Sequence, residues 1–167
     1  MECRVTAVLV AAGSSTRMGF DKLSFDLGGE TVLERSVRAF DECPEVDELV
    51  IVTGASSENA QRAAARCKKP VRLVRGGSTR AESARSGVAA AHGRLVAVHD
   101  AARPFVSQSV IADTIAAAAR CGILRHLFFH TGGGGNDIDR HQQGIDHRIS
   151  GNKDFLRIYI LLQQICP

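Results

Sequence analysis

The sequence of 167 residues has no tryptophan, one tyrosine and only 5% aromatic residues in all. Its five cysteines form no C-x-x-C pair and are spread along the chain at Cys3, Cys43, Cys67, Cys121 and Cys166. An odd number of widely spaced cysteines argues against a disulfide framework or a zinc site and favours reduced thiols. We therefore expect a cytoplasmic protein.

Long apolar runs and blocks of like charge are also missing. No apolar stretch is long enough for a membrane span, and the opening "MECRVTAVLVAAG" continues into a glycine loop, which predicts a first strand and not a signal peptide. The net charge is only +3, without a run of five basic residues and without interleaved aromatic and basic residues. The pattern excludes a membrane or nucleic-acid partner and favours a small anionic ligand.

What is present is an alternation of strand-like and helix-like segments up to about residue 120. Short apolar runs predict strands at Thr6–Ala11, Glu48–Thr53, Val71–Val74 and Arg94–His99. Helical patterns follow them at about 31–41, 56–67, 79–92 and 109–120, two of which open with the capping boxes Thr31 with Glu34 and Thr79 with Glu82. This order predicts an α/β fold with a Rossmann-like, mainly parallel sheet.

The pattern changes after the last of these helices. From about Ile123 a four-glycine run and clustered His and Asp residues predict loop or disorder, and the apolar segment "FLRIYILLQQICP" that follows has no clear partner elements. We expect residues 1–122 to form a nucleotide-binding α/β domain. Residues 123–167 are expected to be an atypical, irregular tail and not a second domain.

Three loops at the predicted carboxyl ends of the strands carry the candidate chemistry. "AAGSSTRMG" offers small residues and backbone N–H groups that can approach an anion, but it matches neither the Walker A nor the dinucleotide-binding pattern. "GGSTRAES" offers glycines and hydroxyls, although a simple turn before a capped helix explains it equally well. In "VHDAARPF", Asp100 is a candidate for Mg²⁺ or a sugar hydroxyl, while Arg103 is better explained as a structural partner of Asp100.

Taken together, "AAGSSTRMG…DK", "GGSTRAES" and "VHDAARPF" resemble the 2-C-methyl-D-erythritol 4-phosphate cytidylyltransferase family, over about residues 4–120. The resemblance implies a nucleotidyltransferase-type sheet and transfer of a cytidylyl group from CTP to methylerythritol phosphate, with Mg²⁺ and release of pyrophosphate. The pathway implied is non-mevalonate isoprenoid synthesis. Members of the family are homodimers, but their dimerisation arm is not recognisable in this sequence.

The resemblance also assigns roles to individual residues. Arg17 and Lys22 correspond to the catalytic cations that stabilise charge on the α-phosphate. The implied nucleotide-binding residues are Ala11, Ala12, Gly13, Gly76, Gly77, Ser83, Asp100, Ala101 and Arg103, and Asp100 is also the implied metal residue.

Two features depart from the family pattern. Ser78 stands where many members carry an acidic residue after the Gly-Gly pair. After residue 122 the expected "P-V-x-D-T-x-K" stretch, the dimerisation arm and the later lysine-bearing segment for the second substrate are not found. A frameshifted or truncated gene would give this abrupt change, and the other reading frames would then encode "D-T-x-K".

Three alternatives remain open at this point. A polyol-phosphate cytidylyltransferase shares the CTP loops. A molybdenum-cofactor nucleotidyltransferase shares the "R-M-G-x-D-K" pattern but not "HDAARPF". The chain could also be a CTP-binding remnant without turnover, because the motifs for the second substrate are missing.

Overall fold

The computed structural model describes residues 4–13 and 21–120 in full, and the backbone alone of residues 127–131 and 156–159. The strands are β1 (Val5–Ala11), β2 (Glu48–Thr53), β3 (Val71–Arg75), β4 (Leu95–Asp100), β5 (Leu127–Thr131) and β6 (Leu156–Tyr159). The helices are α1 (Val32–Asp41), α2 (Glu58–Ala64), α3 (Arg80–Ala89) and α4 (Gln108–Arg120), and a 3-10 turn spans Lys22–Ser24. Within these described stretches, no helix combines the length and the apolar character that crossing a membrane requires.

The strands form one sheet in the order β3-β2-β1-β4-β5-β6. Strands β1 to β5 run parallel and β6 pairs antiparallel with β5. The predicted α/β fold with a mainly parallel sheet is therefore confirmed. Since β1 lies between β2 and β4, the loops after these strands emerge side by side at one edge of the sheet.

Alternate residues of β1 are buried in two separate layers of core. Ala7 and Leu9 belong to the cluster that α1, α2 and α4 cover, whereas Val8 and Val10 belong to the cluster on the face of α3. Both faces of the strand are thus dry, which explains why its sequence is apolar throughout instead of alternating.

Helix α3 lies very close to the sheet because its inner face is made of small residues. Ser83, Ala84 and Gly87 are its buried positions, and a Cβ atom at Gly87 would overlap the side chains of Val8 and Val52. This close approach fixes the start of α3, and with it the loop 76–79, relative to β1 and β2.

The predicted capping box of α1 is confirmed. The Thr31 hydroxyl accepts the Glu34 N–H at 3.2 Å, while a Glu34 carboxylate oxygen accepts the Thr31 N–H at 2.7 Å. The helix then buries the predicted apolar face, which includes Val37 and Phe40. Satisfying these N-terminal donors stabilises such a helix by about 1 kcal/mol.

Helix α2 is shorter than the predicted 56–67. Ser57 provides no side-chain cap, and after Ala64 the N–H groups of Arg66 and Cys67 bond to carbonyls only three residues back. The chain therefore leaves the α-helix in a tighter turn, which the Ala-rich sequence does not reveal.

Two strands lie in the tail, and the first of them, β5, corrects the prediction of loop or disorder at that place. Strand β5 pairs with β4 through Leu127 to Phe129, and β6 pairs with β5. Five- and four-residue runs are too short for their periodicity to separate strand from loop. β5 pairs with the side of β4 that does not face β1. The sequence of the tail alone gives no information about this partner.

Candidate functional site

The three candidate loops begin where β1, β3 and β4 end, at the same edge of the sheet. Ala11 is the last residue of β1, Gly76 follows β3, and Asp100 is the last residue of β4. Parallel strands place their carboxyl ends together, and in open α/β sheets ligands bind at this edge. The predicted site residues that the structure describes, which are all of them except Arg17, are therefore brought to one region of the molecule.

Gly76 is the point at which the second loop meets the first. Its N–H donates to the carbonyl of Thr53 at the end of β2, at 2.8 Å. A Cβ atom at Gly76 would lie 2.5 Å from Cβ of Ala12 and 2.6 Å from Oγ of Ser83. Glycine is required here because the backbone passes between these two side chains.

Ser83 lies behind Gly76 and is almost completely buried. Its hydroxyl donates to the carbonyl of Thr79 at 2.9 Å, inside the first turn of α3. The structure therefore places Ser83 at the predicted loop, but its hydroxyl proton is used within the helix.

The Glu82 carboxylate accepts several hydrogen bonds from the second loop. The predicted capping box is confirmed, since the Glu82 N–H donates to the Thr79 hydroxyl at 3.1 Å and the Thr79 N–H donates to the carboxylate at 3.2 Å. The same carboxylate oxygen also accepts the N–H and the hydroxyl of Ser78, each at 2.7 Å. These hydrogen bonds, that from the Ser78 hydroxyl first, lower the pKa of Glu82 below its usual value. Gly77 leaves room for this carboxylate, since a Cβ atom there would overlap the Glu82 side chain.

Asp100, at the end of β4, is held by three groups. One carboxylate oxygen accepts the N–H of Ala102 at 3.1 Å. The other lies 3.6 Å from a guanidinium nitrogen of Arg80 and 3.7 Å from Nε of Arg103. The pairing of Arg103 with Asp100 agrees with the structural role favoured from the sequence. Arg80, which joins the second loop to the third, was missed. Only its position directly after the N-cap of α3 could have suggested it.

His99 lies buried beneath the third loop and contacts its backbone, and the sequence did not reveal it as part of the site. Its Nε2 lies 3.0 Å from the carbonyl of Arg103, and its ring centroid lies 4.9 Å from that of Phe40. Burial lowers the pKa of His99 to about 4, so the ring is neutral at pH 7 and Nε2–H donates to the carbonyl. The available signal was a histidine that ends an apolar run directly before the acidic residue.

Ala101 is fixed by its backbone on both sides. Its N–H donates to the carbonyl of Val10 at 3.1 Å, and its carbonyl accepts the hydroxyl of Ser36 from α1 at 2.8 Å. The residue is completely buried. The third loop is therefore locked to β1 and α1 at this point, which holds Asp100 in a defined position.

Lys22 begins the 3-10 turn that follows the first loop, and its side chain is exposed. Asp21 caps this turn by accepting the N–H of Leu23 at 3.0 Å, and Leu23 packs against the core. A defined backbone thus carries Lys22, whereas Arg17 lies outside the described residues. At Gly13, the last described residue before that gap, a Cβ atom would meet no described atom within 4 Å.

Asp100 is the residue at this edge that the sequence predicted to hold a metal ion. No group of three or more His, Cys, Asp or Glu side chains that could hold a metal occurs among the described residues. A single Asp fits Mg²⁺ that is held mainly by phosphate oxygens and water, and it does not fit a metal bound by protein ligands alone.

Solved structures with similar folds define the class. A 4-diphosphocytidyl-2C-methyl-D-erythritol synthase from Anaerococcus prevotii superposes with a TM-score of 0.60 at 31% identity, covering 68% of this chain and 50% of that one. A nucleotidyl transferase from Methanothermobacter thermautotrophicus gives 0.60 at 28% identity, covering 68% and 57%. The chain has the α/β fold of nucleotidyltransferases.

Sequence comparison identifies the family. Residues 5–125 match the family model of 2-C-methyl-D-erythritol 4-phosphate cytidylyltransferase. A bifunctional enzyme IspD/IspF from Anaeromyxobacter dehalogenans is 48% identical over 120 residues, which cover 71% of this chain and 31% of that protein. The 2-C-methyl-D-erythritol 4-phosphate cytidylyltransferase of Symbiobacterium thermophilum is 42% identical over 123 residues, covering 71% and 52%. The chain therefore belongs to the 2-C-methyl-D-erythritol 4-phosphate cytidylyltransferase family, and it spans about half or less of the length of these relatives.

Proposed function

We propose that the chain binds CTP at the edge formed by the loops after β1, β3 and β4, and transfers its cytidylyl group to 2-C-methyl-D-erythritol 4-phosphate. An oxygen of the acceptor phosphate attacks the α-phosphorus of CTP, the bond to the β-phosphate breaks, and pyrophosphate leaves. The observation that carries this proposal is the packing of Gly76 against Ala12 in a member of this family, because it joins two loops into one small-residue surface.

The side chains of this site have separate tasks in the proposed reaction. Negative charge grows on the oxygens around the α-phosphorus, and Lys22 with Arg17 would stabilise it. The backbone of Ala11, Ala12 and Gly13 would approach the phosphates. Asp100 would accept a hydroxyl of the ribose or hold the metal.

Mg²⁺ is the proposed cofactor, and Asp100 is the residue that would hold it together with the triphosphate. When bound, the ion supplies charge neutralisation to the phosphates. The guanidinium groups of Arg80 and Arg103 lie within 4 Å of the Asp100 carboxylate, so the site favours the metal only once the anionic triphosphate is present.

The proposed reaction takes place in the cytoplasm. Support comes from Cys43 and Cys67, the free thiols of the described part of the chain, because free thiols are typical of a reducing compartment. Burial raises the pKa of both thiols to about 11, so neither is a reactive thiolate at neutral pH.

The test is pyrophosphate release from CTP by the full chain, measured with and without methylerythritol phosphate in the presence of Mg²⁺. Release that depends on the acceptor supports the proposal. Release with ribitol phosphate in its place would assign a polyol-phosphate cytidylyltransferase instead.

A second candidate is a CTP-binding protein without turnover. It is favoured by one observation, that the family's motifs for the second substrate are not recognisable after residue 122. CTP binding by calorimetry with no pyrophosphate release, even at high protein concentration, would establish this alternative.

A further inference from the structure

Helix α2 is anchored both to the core and to α1. Ala60 and Ala63 are its buried residues and belong to the cluster that α1, α2 and α4 cover. A carboxylate oxygen of Glu34 accepts Nε–H of Arg62 at 3.2 Å and lies 3.3 Å from Nη1 of Arg66, just beyond the helix. Glu34 is almost completely buried and is part of the capping box of α1. These contacts give α2 a defined position relative to α1.

Asn59, in the first turn of α2, connects this helix to the 3-10 turn that carries Lys22. Its Nδ2 is hydrogen-bonded to the hydroxyl of Ser24, 35 positions away in the sequence, and lies 3.5 Å from a carboxylate oxygen of Asp21. Its Oδ1 lies 3.5 Å from Nη2 of Arg62. Because a guanidinium group donates hydrogen bonds and cannot accept them, the amide oxygen faces Arg62 and the amide N–H groups face the turn.

The hydrogen bonds of the turn run in one direction. The Ser24 hydroxyl donates to the Asp21 carboxylate, which also accepts the Leu23 N–H at 3.0 Å. A carboxylate cannot donate in return, so the Ser24 oxygen keeps its lone pairs for the N–H of Asn59. Hydrogen bonds joined in such a chain strengthen one another. The turn, none of whose three residues is buried, is therefore tied to α2.

We propose that Asn59 is a positioning residue for the cytidylyl transfer, because it holds from α2 the turn that presents Lys22 to the α-phosphate. A cation lowers the barrier of this reaction only from a narrow range of positions. A short 3-10 turn at the surface does not fix such a position by itself. Asn59 acts through the turn and not on the reacting atoms. This inference rests on the proposed function and on the role of Lys22 in it.

The alternative explanation is that Asn59 only stabilises the packing of α2 against the turn. A folded variant would then keep its kcat, or would lose the same factor with and without the Lys22 side chain. A positioning role makes the effect of Asn59 depend on Lys22, because the place of the turn no longer matters once the cation that it carries is removed.

The experiment measures steady-state pyrophosphate release from CTP and methylerythritol phosphate by the full chain with Mg²⁺. Asn59→Ala removes the N–H donor and Ser24→Ala removes its acceptor, and each is also made in the Lys22→Ala background. The matched control is Gln61→Ala. Gln61 is an amide of the same helix, but its Nε2 donates to the Ser57 hydroxyl at the start of α2, at 3.1 Å.

Asn59→Ala and Ser24→Ala should each lower kcat about tenfold and change KM for CTP less than about twofold, because the cation is displaced while the nucleotide contacts remain. In the Lys22→Ala background neither should lower kcat further, and Gln61→Ala should keep the wild-type kcat.

Wild-type kcat in a folded Asn59→Ala variant, or the same loss in both backgrounds, would overturn this inference and leave the proposed function standing. If the wild-type chain shows no pyrophosphate release that depends on the acceptor, both the inference and the proposed function fail. Thermal unfolding shows whether each variant is folded. Ser24→Ala, on the exposed turn, decides the question by the same criteria if Asn59→Ala is not folded.

Discussion

Arg80, the first residue of α3, places a guanidinium nitrogen 3.6 Å from the carboxylate of Asp100 at the end of β4. This ion pair connects the second candidate loop with the third. The two residues are twenty positions apart in the sequence and lie on different elements, so no local motif contains both. The pair holds the Asp100 carboxylate, which is the proposed contact for the ribose or the metal, beside the start of α3.

Removal of Arg80 is expected to weaken nucleotide binding moderately. Arg80→Ala leaves Asp100 with Arg103 as its remaining cationic neighbour, and CTP affinity should fall roughly two- to fivefold, since the pair is half-exposed and such pairs contribute up to about 1 kcal/mol. Arg80→Lys should recover part of the affinity. The measurement is a calorimetric titration with CTP and Mg²⁺.

The control for this prediction is Arg94→Ala. Arg94 precedes β4 at the opposite edge of the sheet and is exposed, so its removal changes the net charge equally without touching Asp100. An equal loss of affinity in both variants would show that general charge, and not the pairing with Asp100, is responsible.

Lys22 is expected to act on turnover and not on folding. Its side chain is exposed, and the turn that carries it is held by Asp21 and Leu23. Lys22→Ala should therefore leave the free energy of unfolding unchanged but lower kcat by about two orders of magnitude, as loss of a group that stabilises transition-state charge does. Arg17→Ala should likewise lower kcat far more than CTP affinity.

Steady-state kinetics with CTP as the varied substrate checks both substitutions. Lys68→Ala serves as control, because Lys68 is exposed and precedes β3 at the other edge of the sheet. If Lys22→Ala raised KM and left kcat unchanged, Lys22 would be a binding residue only.

Gly76 is expected to tolerate no side chain. Gly76→Ala would place Cβ 2.5 Å from Cβ of Ala12 and 2.6 Å from Oγ of Ser83, so the two loops must separate. Overpacking of this kind costs about 1 to 3 kcal/mol. Urea unfolding measures the loss, and CTP affinity should fall with it.

A neighbouring glycine provides the comparison. At Gly54 the nearest atom to an added Cβ is the Ala12 carbonyl oxygen at 3.6 Å, an ordinary contact. Gly54→Ala should change the free energy of unfolding by less than about 1 kcal/mol. Similar losses at both positions would contradict the steric explanation.

His99 is expected to make stability depend on pH. Burial is the main cause of its lowered pKa of about 4, and Arg103 and Arg80 act in the same direction, while the Arg103 carbonyl and Asp100 oppose it. A histidine in the unfolded chain has a pKa near 6.5. Between pH 6.5 and pH 4 the imidazole is therefore protonated in the unfolded state and neutral in the folded state. The stabilisation is complete above pH 6.5 and is lost as the pH falls towards 4.

Urea unfolding at pH 7 and pH 5 tests this prediction. The wild-type chain should lose about 2 kcal/mol more than His99→Gln, which cannot titrate but retains an N–H donor for the carbonyl of Arg103. Carboxylates titrate in both proteins, so their effect cancels in the comparison. Equal losses would mean that His99 is solvated when folded.

Local patterns in the sequence were sufficient for much of the fold. The capping boxes at Thr31 and Thr79 are signals within four residues, and both were predicted correctly. Apolar runs located β1, β2 and β4 to within one residue at each end. These features depend on neighbours in sequence, which is why they could be read in advance.

The remaining features depend on residues distant in sequence. The contact of Gly76 with Ala12, the pair of Arg80 with Asp100 and the burial of His99 against Phe40 all require the sheet order to be known. Strand β5 was missed for the same reason, since its pairing partner is β4 and its own five residues carry too short a pattern. The three loops were predicted from the sequence, but the contacts between them were not.

The central position of β1 has a consequence for how the molecule forms. β1 pairs with β2 on one side and with β4 on the other, and β4 ends at Asp100. During synthesis β1 therefore remains an open, apolar edge until about a hundred residues have left the ribosome, and no hairpin is available to protect it. Pairings across such separations form slowly. The nascent chain should depend on chaperones in this interval, and the nucleotide edge, which needs β4, is assembled only afterwards.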